Sequence, residues 1–247
     1  MKHLKWQIFF GLIMIALSVS IYLIHYAIFR DSHQIFFYLI NDIAFVFIQV
    51  LLVTLIIDRV LNLREKRILL EKMNMVIGSF FSEVGKELVK QFSTFDPNAE
   101  KIRQDLIVTS HWSAQQFSHL GKQLKQYAYV IDIHRGDLLH LEQTLIRNRG
   151  FLLRLLENQN LLEHDTFTNL LMAVFHLTEE LESRTDIRQL PQADQNHIAG
   201  DMKRAYSFLV IEWLNYMNHL RENYPYLFSF AMRTNPYDLN ASPEIME

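Results

Sequence analysis

The sequence predicts an all-α protein: a two-helix transmembrane hairpin that continues into a cytoplasmic multi-helix bundle. Three observations predict it. Two apolar runs, over about 6–29 and 35–57, are each long enough for the roughly 20 residues that cross a bilayer core as helix. From Ile35 to Phe92 no proline interrupts the chain, and the first strong breaker is the Asp96-Pro97 pair. Beyond Pro97, apolar residues recur at helical spacing in segment after segment, and only YAYVIDIH (127–134) alternates like a strand, too short and isolated for a sheet.

Composition sets the limits. The chain has 247 residues and a formal net charge of −3. Residues 1–58 carry only Lys2, Lys5, Arg30, Asp31, Asp42 and Asp58 as charges, which leaves 21 basic and 24 acidic residues for the remainder. That remainder is long enough for one domain with its own core. A slightly acidic domain lacks the basic excess that phosphate binding needs, so nucleic acid is not an expected partner. There is no cysteine, which excludes disulfides, Cys-ligated zinc and iron–sulfur clusters and fits a reducing compartment.

The first apolar run has a rival explanation as a cleaved leader, with a basic start and a small-x-small Ser18-Val19-Ser20. Against it, IYLIHYAIF continues past that point, so we expect an uncleaved span. The short link Arg30-Asp31-Ser32-His33-Gln34 makes a tight hairpin. Lys2 and Lys5 flank one end, and Arg59, Arg64, Lys66, Arg67 and Lys72 follow the other. Basic residues favour the cytoplasmic side, so both termini are expected in the cytoplasm of a cell whose inner (plasma) membrane holds the hairpin. The same five cations could also meet anionic lipid headgroups.

Polar groups inside the spans need an account. His25, Asn41 and Asp42 fall at similar depth, and Gln49 lies deeper. An ionisable group in hydrocarbon is costly and is a candidate for proton or ion handling. The competing account starts the second span nearer Ile43 and leaves 26–42 in the outer interface. Ala16 and Ser20 form a small-xxx-small pair suited to close helix contact.

Past Asp58, Leu63, Leu70, Ile77 and Val84 recur every seven residues, so a juxtamembrane helical rod is expected over 59–95. Gly78, Ser82 and Gly85 make a small-residue strip on it, and a helical glycine costs about 1 kcal/mol relative to Ala. Close approach of another helix, or of a second copy of this one, would offset that cost. The bundle then occupies 96–236: a short helix over 98–108, one capped by Ser110 or Ser113, one capped by Asp137, one capped by Asp165, and a long one opened by Pro191 or Asp194 that ends at Tyr224-Pro225. A short apolar helix follows, and 237–247 is expected to be a disordered tail.

Eight of the eleven histidines fall between His111 and His219. A di-metal bundle would want ExxH motifs on two helices. None is present, and a search for HxxxE finds only His176…Glu180. We therefore expect no metal and no cofactor, with His176 and Glu180 as the pair to inspect first. Glu212 and His219, seven residues apart, and His140 and Glu142 set further acid–imidazole pairs on two other helices. HExxH, P-loop, GxGxxG and GxSxG motifs are absent, so no catalytic residue is assigned.

Two strings are distinctive: REKRILLEKMNMVIGSFFSEVG (64–85), just after the second span, and YPYLFSFAMRTNP (224–236). They resemble a family of uncharacterised two-span prokaryotic membrane proteins with a cytoplasmic helical domain. The resemblance implies topology over nearly the whole chain and no activity. The expected function is non-enzymatic: a homo-oligomeric sensor, scaffold or docking module for an unidentified protein partner, in a lipid bilayer. The alternatives are an ion-conducting pore lined by His25, Asn41, Asp42 and Gln49, and a membrane-tethered metal-dependent enzyme built on His176 and Glu180.

Overall fold

The computed structural model describes residues 2–159, 161 and 164–244. Every regular element among them is helical, and 127–134 forms no strand: its Tyr129 is buried, and the Asp132 N–H donates to the Phe95 carbonyl at 2.9 Å. The chain divides into two compact units, Met1–Glu65 and Lys66–Glu247.

The first unit holds α1 (Lys2–Phe29) and the N-terminal part of α2 (Ser32–Phe80). The link is shorter than expected because two local devices make it. Arg30 takes a left-handed φ of 50°, with its N–H donating to the Tyr26 carbonyl at 2.9 Å, and so ends α1. Asp31 Oδ1 then accepts from the N–H groups of His33 at 3.0 Å and Gln34 at 3.3 Å, which opens α2 at Ser32. No residue in 9–57 is buried.

In the second unit α2 continues to Phe80 and passes through a π turn (Phe81–Gly85) into α3 (Lys86–Phe95). Then come α4 (Ala99–Asp105), α5 (Ala114–Gln126), α6 (Leu138–Leu156), α7 (Asp165–Glu182), a 3-10 turn (Ile187–Gln189), α8 (Gln192–Asn223) and α9 (Pro225–Arg233). Helix α8 is the central post. It packs against α3, α5, α7 and α9, and it buries residues on almost every side, from Ile198 and Met202 through Tyr206, Leu209, Trp213 and Met217 to Leu220.

The seven-residue pattern of α2 becomes a core face only partway along. Leu63 is exposed and Leu70 half-buried, while Met73, Ile77 and Val84 are buried. The π turn inserts one extra residue per turn, so the neighbours Phe80 and Phe81 both reach the interior. Phe80 meets Phe167 edge-on at 5.5 Å, and Phe81 meets Trp213 at 5.1 Å. A Cβ at Gly85 would lie 2.6 Å from Phe81 and 2.8 Å from Phe80, so glycine is what lets both rings fold inward. A Cβ at Gly78 would touch the Tyr216 hydroxyl at 3.4 Å. Both glycines therefore meet side chains of this same unit.

Helix starts follow short-range hydrogen bonds. Ser113 and Gln116 form a capping box at α5, and Asp137 Oδ1 accepts from the His140 N–H at 2.9 Å to start α6. Helix α7 departs from expectation. The residue before the helix is His164, whose Nδ1 accepts from the Phe167 N–H at 3.3 Å, and Asp165 is the first helical residue.

Beyond α9 the chain stays against the unit for at least one residue: Tyr237 is 1% exposed, and 238–244 follow in turns and bends. Buried Asn235 explains it: its side-chain amide donates to the Leu106 carbonyl at 2.8 Å, and its Oδ1 accepts from the Tyr237 N–H at 3.1 Å, turning that ring inward. Residues 245–247 lie outside the described residues. Replacing a fully buried aromatic by alanine removes a large apolar contact. We expect Tyr237→Ala to cost about 3 kcal/mol and to lower Tm by roughly 6–12 °C in a thermal melt, against no change for Leu239→Ala.

Candidate functional site: an imidazole–carboxylate cluster on α7 and α8

Helices α7 and α8 run antiparallel, as their polar pairs show: His164 stands opposite Glu212, His176 opposite Asp201, and Glu180 opposite His197. The last two pairs form one cluster. On α7, His176 and Glu180 are four residues apart and share a face; on α8, His197 and Asp201 repeat the spacing.

Asp201 is 3% exposed and forms the floor. Its Oδ1 accepts from Arg204 Nη1 at 2.8 Å. Its Oδ2 is buried, makes no hydrogen bond, and faces His176 Nε2 at 3.5 Å and His197 Nε2 at 3.4 Å. Glu180 closes the ring, with Oε1 at 3.8 Å from His176 Nε2 and Oε2 at 3.5 Å from His197 Nε2. Arg184 ties the cluster to the start of α8. It donates to Glu180 Oε2 at 2.8 Å and to the Glu180 carbonyl, and its other nitrogens bond both oxygens of Asp194 at 2.8 and 2.6 Å. Those bonds hold the Glu180 and Asp194 carboxyls below the usual carboxylate range. The imidazoles are about half exposed, so the cluster opens to solvent above a buried carboxylate.

The other polar contact of these helices is sealed. Glu212 is 1% exposed, with Oε1 at 3.9 Å from His164 Nε2 and Oε2 at 3.4 Å from Asn215. Because His164 Nδ1 accepts the Phe167 N–H, the proton of the neutral ring lies on Nε2 and points toward this carboxylate. Burial pushes the Glu212 carboxyl up, and His164, Thr166 and Asn215 pull it back in part.

The positions singled out from sequence fall in several places. The His25 ring lies tilted against Phe29 at 4.8 Å, Asn41, Asp42 and Gln49 are exposed, and no ion pair between His25 and Asp42 is found among the described residues. Ser20 Oγ donates to the Ala16 carbonyl at 2.8 Å on its own helix. Arg59, Arg64, Lys66, Arg67 and Lys72 are exposed, with Arg67 paired to Glu71 at 3.2 Å. Ser82 is exposed and, with Gly78, borders an open apolar groove against Tyr216 and Leu227. Glu212 meets His164 and not His219. Sequence inspection missed His197 and Asp201. The signal was available as HxxxD, the spacing of His176…Glu180 with the shorter acid, which a search for glutamate alone passes over.

A raised Glu212 pKa carries a definite sign. The folded state holds this proton at a pH where the unfolded chain has released it, so stability falls as pH rises from the unfolded value, about 4.3, toward the folded one. Glu212→Gln removes that slope. The variant is expected to melt a few degrees above the parent at pH 7, with the two curves converging near pH 4.

Comparison with known proteins gives two helical-domain matches. Residues 1–61 match the model described as MJ1433, N-terminal helical domain, and residues 69–233 match that of the uncharacterized protein MJ1433, C-terminal helical domain. The uncharacterized protein MJ1433 of Methanocaldococcus jannaschii is 44% identical over 238 residues, covering 96% of each chain. No solved structure matches the chain. The chain therefore belongs to the family of the uncharacterized archaeal protein MJ1433, of which it carries both helical domains.

Proposed function

We propose that this protein is a non-enzymatic integral membrane protein, in which a two-span hairpin anchors a cytoplasmic helical domain that oligomerises or docks a partner. The observation that carries it is the contrast between the two units. Phe9–Phe29 has a mean hydropathy of 2.2, the most apolar stretch of the second run reaches 2.4, and neither is buried at all. An unburied apolar surface of this extent is far larger than the few hundred Å² a water-soluble monomer exposes. Lipid would cover it, and helices satisfy their own backbone hydrogen bonds there. The exposed basic residues from Arg59 to Lys72 support a cytoplasmic Lys66–Glu247 unit.

A pore is the second reading, favoured by one observation. Asp42 is exposed in an apolar helix and has no ion-pair partner among the described residues. A carboxylate in that setting draws a partner from another copy or lines water. The two readings part at Asp42→Asn. A pore loses its conductance in planar bilayers, whereas a scaffold keeps its detergent-corrected mass and its co-purifying partners. The membrane assignment has its own test. The protein is expected to stay with membranes through a carbonate wash, and protease outside intact cells should leave the C-terminal unit whole. Release by carbonate, or external cleavage, would refute it.

A further inference from the structure

We infer that His176, Glu180, His197 and Asp201 form a binding site for a divalent transition-metal ion, with Zn²⁺ the best fit, that clips α7 to α8. The inference is independent of the membrane reading. Its first ground is donor chemistry: two imidazole Nε2 atoms and two carboxylates are a set that suits zinc. Its second ground is metric. Four ligands about 2.1 Å from an ion at tetrahedral angles stand about 3.4 Å apart. Asp201 Oδ2 stands 3.5 and 3.4 Å from the Nε2 atoms of His176 and His197, and Glu180 Oε1 stands 3.8 Å from that of His176, while Glu180 reaches His197 through its other oxygen, Oε2, at 3.5 Å. The third ground is Asp201 Oδ2, buried, without a hydrogen bond, and turned between the two rings.

As the side chains stand, no three His, Asp or Glu groups among the described residues hold an ion position. Loading therefore draws the ligands inward. The half-exposed imidazoles are free to swing, and the carboxylates are already oriented. Arg204 holds the far oxygen of Asp201, leaving Oδ2 free. Arg184 shares Glu180 Oε2 with His197, leaving Oε1 free. Glu180, Asp194 and Asp201 against Arg184 and Arg204 leave one net negative charge, which favours a cation. Because the ligands come in pairs from two helices connected in sequence by residues 183–191, a bound ion adds a cross-link between α7 and α8.

The test uses the full-length chain free of affinity histidines. Zn²⁺ titration by calorimetry should show one equivalent per chain, and Co²⁺ in its place should give the intense visible bands of a four-coordinate ion. At a hundredfold excess over Kd, Zn²⁺ should raise Tm by roughly 5–10 °C. Asp201→Asn, and His176→Ala with His197→Ala, should each weaken Zn²⁺ at least tenfold and remove the cobalt bands, while His111→Ala leaves both unchanged. Absence of saturable uptake by the parent protein would overturn the inference. So would parental binding in the double variant, and since the parent's own titration decides the first point, a variant that misfolds leaves it decidable.

Discussion

The burial of α8 is the constraint on which the second unit depends. A helix with core residues on most of its circumference cannot stand in water and needs neighbours around it. The π turn, the glycines and the aromatic pairs all serve that enclosure. Phe80 and Phe81 can both turn inward only because a π turn sets adjacent residues toward one interior and Gly85 leaves room for their rings. Tyr206, at the middle of α8, is packed by Phe92 and Tyr129, which draws the strandless segment 127–134 onto the post.

The same constraint sorts the polar groups of α7 and α8. At the start of α7 the polar contact is the Glu212–His164 pair, and desolvation dominates the chemistry of its carboxyl. Near the start of α8 the contact reaches solvent, so charged side chains can gather at little cost, and Arg184 and Arg204 neutralise two of the carboxylates. One register thus produces a closed polar layer and an open one.

The first unit obeys the opposite logic. No residue in 9–57 is buried, so among the described residues nothing supplies the stabilisation that α8 receives from its neighbours. Its helices are closed by local devices, a left-handed Arg30 and the Asp31 cap, and its long apolar faces need a medium or a partner.

How far the sequence reached can be seen residue by residue. The all-α class, the Ser113 and Asp137 starts, the Pro225 break and the apolar runs were legible because they depend on periodicity and on hydrogen bonds within a few residues. The resemblance carried by 64–85 and 224–236 was likewise local, and the matches bear out its coarser part, a family of uncharacterised helical-domain proteins. The burial of Tyr237 was not legible, because it hangs on Asn235 bonding Leu106 from a distant segment. Nor was the helix cap on His164, which is held by the same packing that seals Glu212. The cluster was half legible: the sequence shows two four-residue spacings, but no one-dimensional pattern says that His176 lies over Asp201. That depends on the antiparallel register of α7 and α8, set by side chains filling the space around the post, and only the tertiary structure decided it.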